Sequence, residues 1–276
     1  MQRHLKSTLR PLIALARKSG LTVATVPGQR HWRAGVELLW RPFDENVRRI
    51  PISTVEYEDK RFQFFIDSRT DWIQEHHLGG KFYAAEELEY IRAAFTSSTF
   101  VDIGANVGNH SVFAAGVIGA KRVIAIEPNP VAYRVLLCNV ALNDFSTTIE
   151  HLPIGLSDFD GKAAVFTPDP EINLGGTKLT DDPRGSVQLR RGDDVLEGVN
   201  DIGFIKIDVE GLEMQVLSGL TATIGRCRPP MMVEVDDKNR AGFERWCEEY
   251  RYLIDRETRP YNNMANLFVS PAPKMA

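Results

Sequence analysis

Cysteine and long apolar runs are scarce in this sequence, and positive charge is not in excess; each shortage excludes a class of protein. The three cysteines, Cys138, Cys227 and Cys247, form no CxxC pair, which argues against a disulfide-framed secreted domain and against a thiolate zinc site. No run approaches the roughly 18 apolar residues that a membrane span needs. The formal net charge of −4 argues against a general nucleic-acid binder. Together these shortages predict a soluble, cytoplasmic protein.

Composition indicates a globular chain whose charge is distributed unevenly. Hydrophobic residues make up 43% and charged residues 25% of the sequence, which fits one large domain, or one domain with an appendage. Residues 1–50 hold ten basic and three acidic residues, a net charge of +7, which leaves −11 for the remainder. This basic start predicts an amphipathic helix that either makes weak peripheral contact with an anionic membrane or packs on the acidic remainder of the chain. We favour packing.

Strand and helix patterns alternate along the chain. Predicted strands cover residues 100–103, 122–126, 148–154, 203–207 and 231–235, and predicted helices cover residues 84–95, 111–118, 131–142, 212–220 and 243–250. A hairpin over residues 52–66 precedes them, and a terminal antiparallel pair over residues 252–254 and 266–269 follows. Such alternation predicts an α/β fold, with a parallel sheet that is covered by helices on both faces.

The longest interruption of this alternation is an insert over residues 155–202 that is rich in glycine and proline, with an extra hairpin predicted around residues 162–190. Because a structureless loop of that length is unusual, we expect the insert to cover a site. We divide the chain into residues 1–79, a basic helical segment with a β-hairpin, and residues 80–276, the main domain that contains the insert.

Two neighbouring strand tips carry the residues of a nucleoside site. Asp102 lies near the end of the first main-domain strand, Gly104 permits the tight turn that follows, and Gly108 permits close approach of a ligand or helix. Glu127 ends the next strand, at the position where an acid commonly binds ribose hydroxyls. Each residue alone fits a plain turn or a solvated loop, but their common register favours a nucleoside site at this sheet edge.

The glycine spacing favours S-adenosylmethionine over a dinucleotide. A dinucleotide fingerprint that begins at Gly104 requires glycine at positions 106 and 109, where this chain has Asn106 and Asn109. The side chains at these two positions therefore keep a pyrophosphate away from the backbone, and Asp102 would repel it. The same carboxylate attracts the sulfonium and ammonium groups of S-adenosylmethionine.

Residues 100–130 resemble the first two motifs of the FkbM-type methyltransferases, a class I group that depends on S-adenosylmethionine. Gly155–Gly161, Gly175–Thr177 and Ile205–Gly211 match further motifs in the same order, so that the resemblance covers roughly residues 80–270. It implies a Rossmann-like class I methyltransferase fold, with a mostly parallel seven-stranded sheet and a C-terminal antiparallel pair. It also implies O-methylation of a hydroxyl on a sugar, a glycan or a secondary metabolite.

By this resemblance the cofactor is S-adenosylmethionine, and the predicted cofactor-binding residues are Tyr83, Glu86, Asp102, Gly104, Asn106, Gly108, Glu127, Pro128, Asn129, Ser157 and Asp158. Asp102, Gly104 and Gly108 would line the methionine moiety, and Glu127 would hold the ribose. Ser157 and Asp158 would lie beside the adenine, although this pair also fits a plain Asx turn. Asn109-His110 departs from the aromatic pair common in the family, and we assign His110 no role.

The predicted catalytic residues are Lys206, Asp208 and Glu210, at the end of the fourth main-domain strand. Side chains alternate along a strand, so these three would share a face if the extended stretch continues to Glu210. A hydroxyl acceptor must lose a proton, and Asp208 or Glu210 is the candidate base, oriented or tuned by Lys206. The same three residues also fit a structural ion-pair cluster.

Other functions remain open at this stage. An NAD-dependent Rossmann oxidoreductase and a non-catalytic nucleoside-binding module are the alternatives. Asp208, Glu210 and Glu234 have oxygens that suit Mg²⁺, but no spacing rule requires a metal and none is predicted. The predicted partner is a small-molecule or glycan acceptor rather than a nucleic acid, and the oligomeric state cannot be derived from the sequence.

Overall fold

The structure, a computed structural model, describes residues 51–169, 173–261 and 263–273. The amphipathic helix predicted within residues 1–50, and the membrane contact considered for it, lie outside these ranges. Among the residues that the structure describes, no helix is long and apolar enough to cross a membrane.

The described residues form thirteen strands and eight α-helices. The strands are β1 (Ile52–Tyr57), β2 (Lys60–Phe65), β3 (Thr99–Ile103), β4 (Arg122–Ile126), β5 (Ile149–Leu152), β6 (Ile154–Ser157), β7 (Gly161–Phe166), β8 (Lys178–Asp181), β9 (Val187–Arg191), β10 (Ile202–Ile207), β11 (Met231–Asp236), β12 (Tyr252–Tyr261) and β13 (Met264–Pro271). The helices are α1 (Trp72–Leu78), α2 (Ala85–Ala94), α3 (Asn109–Phe113), α4 (Pro130–Leu142), α5 (Gly192–Val195), α6 (Glu213–Gly219), α7 (Thr221–Cys227) and α8 (Arg240–Tyr250).

Seven strands form the main sheet, in the order β12-β13-β11-β10-β3-β4-β5. Neighbouring strands pair in parallel, except that β13 runs antiparallel to both β11 and β12. The predicted α/β fold, with a mostly parallel seven-stranded sheet and a C-terminal antiparallel pair, is thereby confirmed. Winding starts at β3 and reverses between β3 and β10, so the crevice that open sheets use for ligands lies at the tips of these two strands.

Strand alternation decides which side chains reach that crevice. Val101, Ile205 and Val233 belong to the apolar core on one face of the sheet, whereas Phe100 and Phe204 belong to the core on the other face. Phe204 lies opposite Phe100, and Lys206 lies opposite Asp102, in the parallel pair of β10 and β3. The charged pair therefore shares a face with the two phenylalanines and lies at the carboxyl end of that face.

A second sheet, with the order β6-β9-β7-β8, is built mainly from the insert. The hairpin predicted around residues 162–190 is present as β7 and β8, which pair antiparallel. The prediction of one continuous strand over residues 148–154 is wrong. Pro153 has no N–H to donate, so β5 ends at Leu152, and the chain continues as β6, which pairs with β9 in the second sheet.

The N-terminal hairpin, predicted over residues 52–66, turns at Glu58-Asp59 and packs on the main domain. Phe62 and Phe64 of β2 form a buried cluster with Phe82 and Phe113. Asn139 of α4, which is fully buried, accepts a hydrogen bond from the Phe65 N–H at 2.7 Å and donates one to the Val107 carbonyl at 2.7 Å. One amide side chain thus connects the hairpin, α4 and the loop that follows β3.

Asn139→Ala should lower the free energy of unfolding by about 2–4 kcal/mol, because it leaves a buried N–H and a buried carbonyl without partners. Asn143, which caps the C-terminus of the same helix, makes an equivalent pair of bonds to Gln63 where water can replace them. Asn143→Ala should therefore cost about 1 kcal/mol or less. Urea unfolding of both variants measures the difference, and equal losses would contradict the role assigned to burial.

Candidate active site

The tips of β3 and β10 approach so closely that only glycine fits at position 104. Gly104 has a φ of +79°, and a Cβ there would lie 1.8 Å from the backbone oxygen of Asp208. The Asp208 N–H donates to the Ile103 carbonyl at 3.0 Å, so this contact is held by the backbone itself. The turn after β3 and the end of β10 therefore form one rigid edge.

Lys206 is the charged centre of this edge. Its side chain is only 3% exposed and lies 3.5 Å from Asp102 Oδ1, 3.2 Å from Asp208 Oδ2, and 2.8 Å from the Gly104 carbonyl, to which it donates. Although burial opposes the charged form, the carboxylates of Asp208 and Asp102 raise the pKa of Lys206 above its usual value. Asp102 is fully buried and also accepts from Ser111 Oγ at 2.6 Å. The structure thus places Asp102 beneath the pocket, where it holds Lys206.

Three carboxyl groups gather at the end of β10. One oxygen from each of Asp208, Glu210 and Glu234 lies within 4.8 Å of the others. Asp208 and Glu234 hydrogen-bond to each other, which requires a shared proton. Burial and the charge of Asp208 raise the pKa of Glu234 to about 11, whereas Lys206, acting against burial, lowers the pKa of Asp208. The proton therefore resides on Glu234, and Asp208 is ionised.

Glu210 reaches the cluster by a different route from the one the sequence suggested. The extended stretch ends at Ile207, and Glu210 has a φ of 54°, so Glu210 does not continue the strand face of Lys206 and Asp208. The turn into α6 brings its carboxyl group back toward Asp208. Burial, and then the charge of Asp208, raise the pKa of Glu210 to about 7.

Glu127 ends β4 on the other side of the crevice. It is 5% exposed, and its two oxygens accept hydrogen bonds from the Asn106 N–H and the Asn129 N–H, each at 2.7 Å. Burial raises the pKa of Glu127 to about 7, although both backbone bonds oppose this shift. Each carboxylate oxygen keeps a second lone pair, so the group can still accept from a ligand hydroxyl.

The side walls come from outside the main sheet. The residues there that line the same pocket as Asp208 and Glu127 include Trp72, Tyr83 and, from the insert, Asn173, Leu174, Gly175 and Thr177. Asp71, which is 1% exposed, caps α1 by accepting from the Gln74 N–H at 3.0 Å and accepts from the Leu174 N–H at 3.0 Å. One buried carboxylate therefore fixes α1 against the insert.

The structure brings seven of the fourteen predicted site residues to the lining of this pocket. Tyr83, Gly104, Asn106, Glu127, Pro128, Asp208 and Glu210 line it. Asn129 caps α4 and donates to Thr177 Oγ1 at 2.7 Å, and Gly108 leaves space for Leu136. Ser157 is buried and Asp158 is exposed, and neither lines the pocket, whereas Gly155 and Leu156 do. Glu86 points to solvent with its side chain 89% exposed.

Several lining residues were missed by sequence reasoning. Glu87 lines the pocket in place of Glu86, because successive residues on a helix differ by about 100° in direction. His110 lines it as well, and its Nε2 is buried with no hydrogen-bond partner among the described residues. Burial, and then the charge of Lys206, lower the pKa of His110 to about 4, so the ring is neutral. Glu234 and Asn266 become neighbours only through the antiparallel pairing of β11 and β13.

The residues present fit S-adenosylmethionine. Asn106 lines the pocket, and its Oδ1 is buried without a hydrogen-bond partner in the described part of the chain. An unpartnered acceptor of this kind suits an ammonium or hydroxyl donor on a ligand. Ile126, Ile154 and Leu156 provide an apolar wall beside Glu127, which suits a purine next to a ribose.

Comparison with known proteins agrees with this geometry. The sequence profile described as the methyltransferase FkbM domain matches residues 102–257, which include the strand tips of Asp102, Glu127 and Asp208.

Named relatives match over part of their length. Methyltransferase sdnD of Sordaria araneosa is 31% identical, over 44% of this chain and 59% of its own. Hexuronic acid methyltransferase AglP of Haloferax volcanii is 31% identical, over 44% of this chain and 48% of its own. The crystal structure of methyltransferase FkbM from Methylobacillus flagellatus KT is 19% identical, with a TM-score of 0.44, over 71% of this chain and 52% of that chain. The chain thus spans about half the length of the relatives that it matches.

Glu210→Gln should reduce the pH dependence of stability. The folded pKa of about 7 exceeds the ordinary value of 4.5, so the stabilisation present below pH 4.5 is lost as the pH rises through 7. A neutral amide does not undergo this loss, and the variant should be about 2–4 °C more stable than the wild type near pH 8. Thermal melts between about pH 5 and pH 8 measure it. Glu86→Gln, on an exposed side chain, is the control, and parallel curves for all three proteins would contradict the prediction.

Proposed function

This chain belongs to the FkbM methyltransferase family, and we propose that it transfers a methyl group from S-adenosylmethionine to a hydroxyl oxygen on a sugar or a secondary metabolite. The observation that carries the proposal is the joint presence of two sets of groups in one pocket. Glu127 and Asn106 lie at the tips of β3 and β4, and the carboxyl cluster of Asp208, Glu210 and Glu234 lies at the tips of β10 and β11.

The two ends of the pocket have different tasks in this proposal. Glu127 accepts from the ribose hydroxyls, and Asn106 accepts from a donor on the methionine moiety. The cofactor supplies an electrophilic methyl group when it is bound. The acceptor hydroxyl lies beside Asp208, so the methyl group and the hydroxyl meet at the reversal of winding between β3 and β10. Alignment and exclusion of water contribute most of the rate in such a reaction.

The chain must also take up the proton of the hydroxyl. Asp208 is ionised because Lys206 stabilises its charge, so it can accept a hydrogen bond from the hydroxyl and orient it. Glu210 has a pKa of about 7, which is close to the optimum for a general base near neutral pH. Under this arrangement Asp208 orients and Glu210 removes the proton, while Lys206 keeps Asp208 charged.

A sugar acceptor is supported by the mouth of the pocket. Trp72 lines it and is 40% exposed, and an exposed aromatic face is a large apolar surface on which a sugar ring can pack. One relative, AglP, is named for hexuronic acid, a sugar derivative. The first experiment is therefore a mass-spectrometric search for methylated products among hydroxylated sugars and glycans.

Thermal stability separates this function from the alternatives. A ligand that binds only the native state raises the melting temperature. S-adenosylhomocysteine should raise it and NAD should not. The reverse result would favour an oxidoreductase, and binding of S-adenosylhomocysteine without any product from the acceptor search would favour a non-catalytic module.

Glu127→Ala should weaken binding of S-adenosylhomocysteine by about 1–3 kcal/mol, because the ribose hydroxyls lose a charged acceptor. Asp158→Ala is the matched control, since Asp158 is exposed outside the pocket. Calorimetry on both variants, after a melt that establishes folding, gives the affinities. A folded Glu127→Ala protein with unchanged affinity would remove Glu127 from the site.

Asp208→Asn should lower turnover by about two to four orders of magnitude while changing cofactor affinity much less. The amide keeps the volume of the side chain but loses the negative charge that orients the hydroxyl. Glu210→Gln should also lower turnover and should abolish the rise in rate as the pH passes through 7. Normal turnover in both variants would show that the cluster is a structural ion-pair group.

A further inference from the structure

The pocket half beside β10, β11 and β13 carries negative charge and hydrogen-bond acceptors. We define this acceptor half by Glu87, Asp208, Glu210, Glu234 and Asn266, all of which line the pocket. We propose that it selects hydroxyl groups on neutral or amine-bearing sugars and rejects sugars that carry a carboxylate. This inference rests on the proposed function, because it names the acceptor class of the same pocket.

Among the described residues, no lysine or arginine side chain lines this half of the pocket, although the charge of Lys178 acts on Glu210 from outside the lining. Lys206 lies underneath, where it donates to the Gly104 carbonyl and forms ion pairs with Asp208 and Asp102. Lys238, near Gly211, pairs with Asp236 at 3.0 Å. His110, with a pKa of about 4, adds no charge at neutral pH.

A second, independent observation points to a ligand that donates hydrogen bonds. Asn266 is 5% exposed, and its Oδ1 is buried without a partner in the described part of the chain. Its Nδ2 donates to Glu87 Oε1 at 2.8 Å, and Thr258 Oγ1 donates to the same oxygen. Turning the amide around would place Oδ1 against a carboxylate, so the network fixes the oxygen as the group left for a ligand.

Asn266 Oδ1 therefore lacks a donor among the described residues, and a ligand must bring one. A hydroxyl or an ammonium group donates to Asn266 Oδ1 or to an ionised carboxylate and gains a hydrogen bond. A carboxylate would lose its hydration without gaining a charged donor from the lining residues, and it would lie near the negative charges of Asp208 and Glu87. The pocket thus discriminates by repulsion as well as by attraction.

The test compares three sugars that share one ring: the methyl glycosides of glucose, glucosamine and glucuronic acid. The protein is first loaded with S-adenosylhomocysteine, and loading is measured by calorimetry. Sugar binding is then followed by NMR titration at constant ionic strength near pH 7. We expect the glucosamine and glucose derivatives to bind at least about tenfold more tightly than the glucuronide, as one unfavourable charge contact predicts.

Glu87→Gln probes the origin of the preference. Glutamine keeps an oxygen that accepts from Asn266 and Thr258 but removes the charge, so the preference for glucosamine over the glucuronide should fall by about three- to tenfold. Glu86→Gln, the adjacent residue on the same helix but outside the pocket, should leave the preference unchanged.

The possible failures are distinct. If S-adenosylhomocysteine does not bind, the proposed function falls. If it binds, three results overturn only the selectivity: a glucuronide that binds as tightly as the other two sugars, no binding of glucose and glucosamine derivatives, or equal changes in preference for Glu87→Gln and Glu86→Gln.

Discussion

In addition to the backbone bond between Asp208 and Ile103, a single buried ammonium group connects the two central strand tips of this protein. Lys206 bonds to the Gly104 carbonyl at the turn after β3, and it lies between the carboxylates of Asp102 and Asp208. A buried ion pair that loses one partner costs several kcal/mol, about 3–5 in measured cases. Removing the ammonium would leave two carboxylates side by side in the crevice. The geometry of the pocket, and the ionised state of Asp208, both depend on this group.

A shared proton and backbone N–H groups offset part of the negative charge around Lys206. One proton shared between Asp208 and Glu234 reduces the negative charge of the cluster. Glu127, on the opposite side, is stabilised by two backbone N–H groups. Among the described residues that line the pocket, the buried side-chain atoms without a partner are Asn106 Oδ1, Asn266 Oδ1 and His110 Nε2. A bound ligand would satisfy groups that the protein leaves open, which is a common reason for buried unpaired atoms in a native structure.

The sequence predicts the centre of this site better than its walls. Asp102, Glu127 and Lys206 could be placed together because parallel strands end at the same edge of a sheet. Asn266 could not, because it reaches Glu234 only through the register of β13 on β11. Glu87, rather than Glu86, faces the pocket because of the orientation of α2 about its axis. A short amphipathic pattern does not predict that orientation to within one residue. Helices of seven residues or fewer show little periodicity; α3 and α6 could be predicted because each follows a predicted strand of the main sheet, whereas α1, α5 and α7 do not.

The bonds that shape the pocket join distant parts of the chain, and this constrains the order of folding. Lys206 and Gly104 are 102 residues apart, and Asp71 and Leu174 are 103 residues apart. Closing such long loops costs entropy before any contact is gained, so these contacts form late. The hairpin and the β3-β4-β5 half can assemble from local segments, whereas β10 must insert beside β3 before a pocket exists. A chain that stops short of β10 therefore lacks the site and also most of the apolar core on one face of the main sheet.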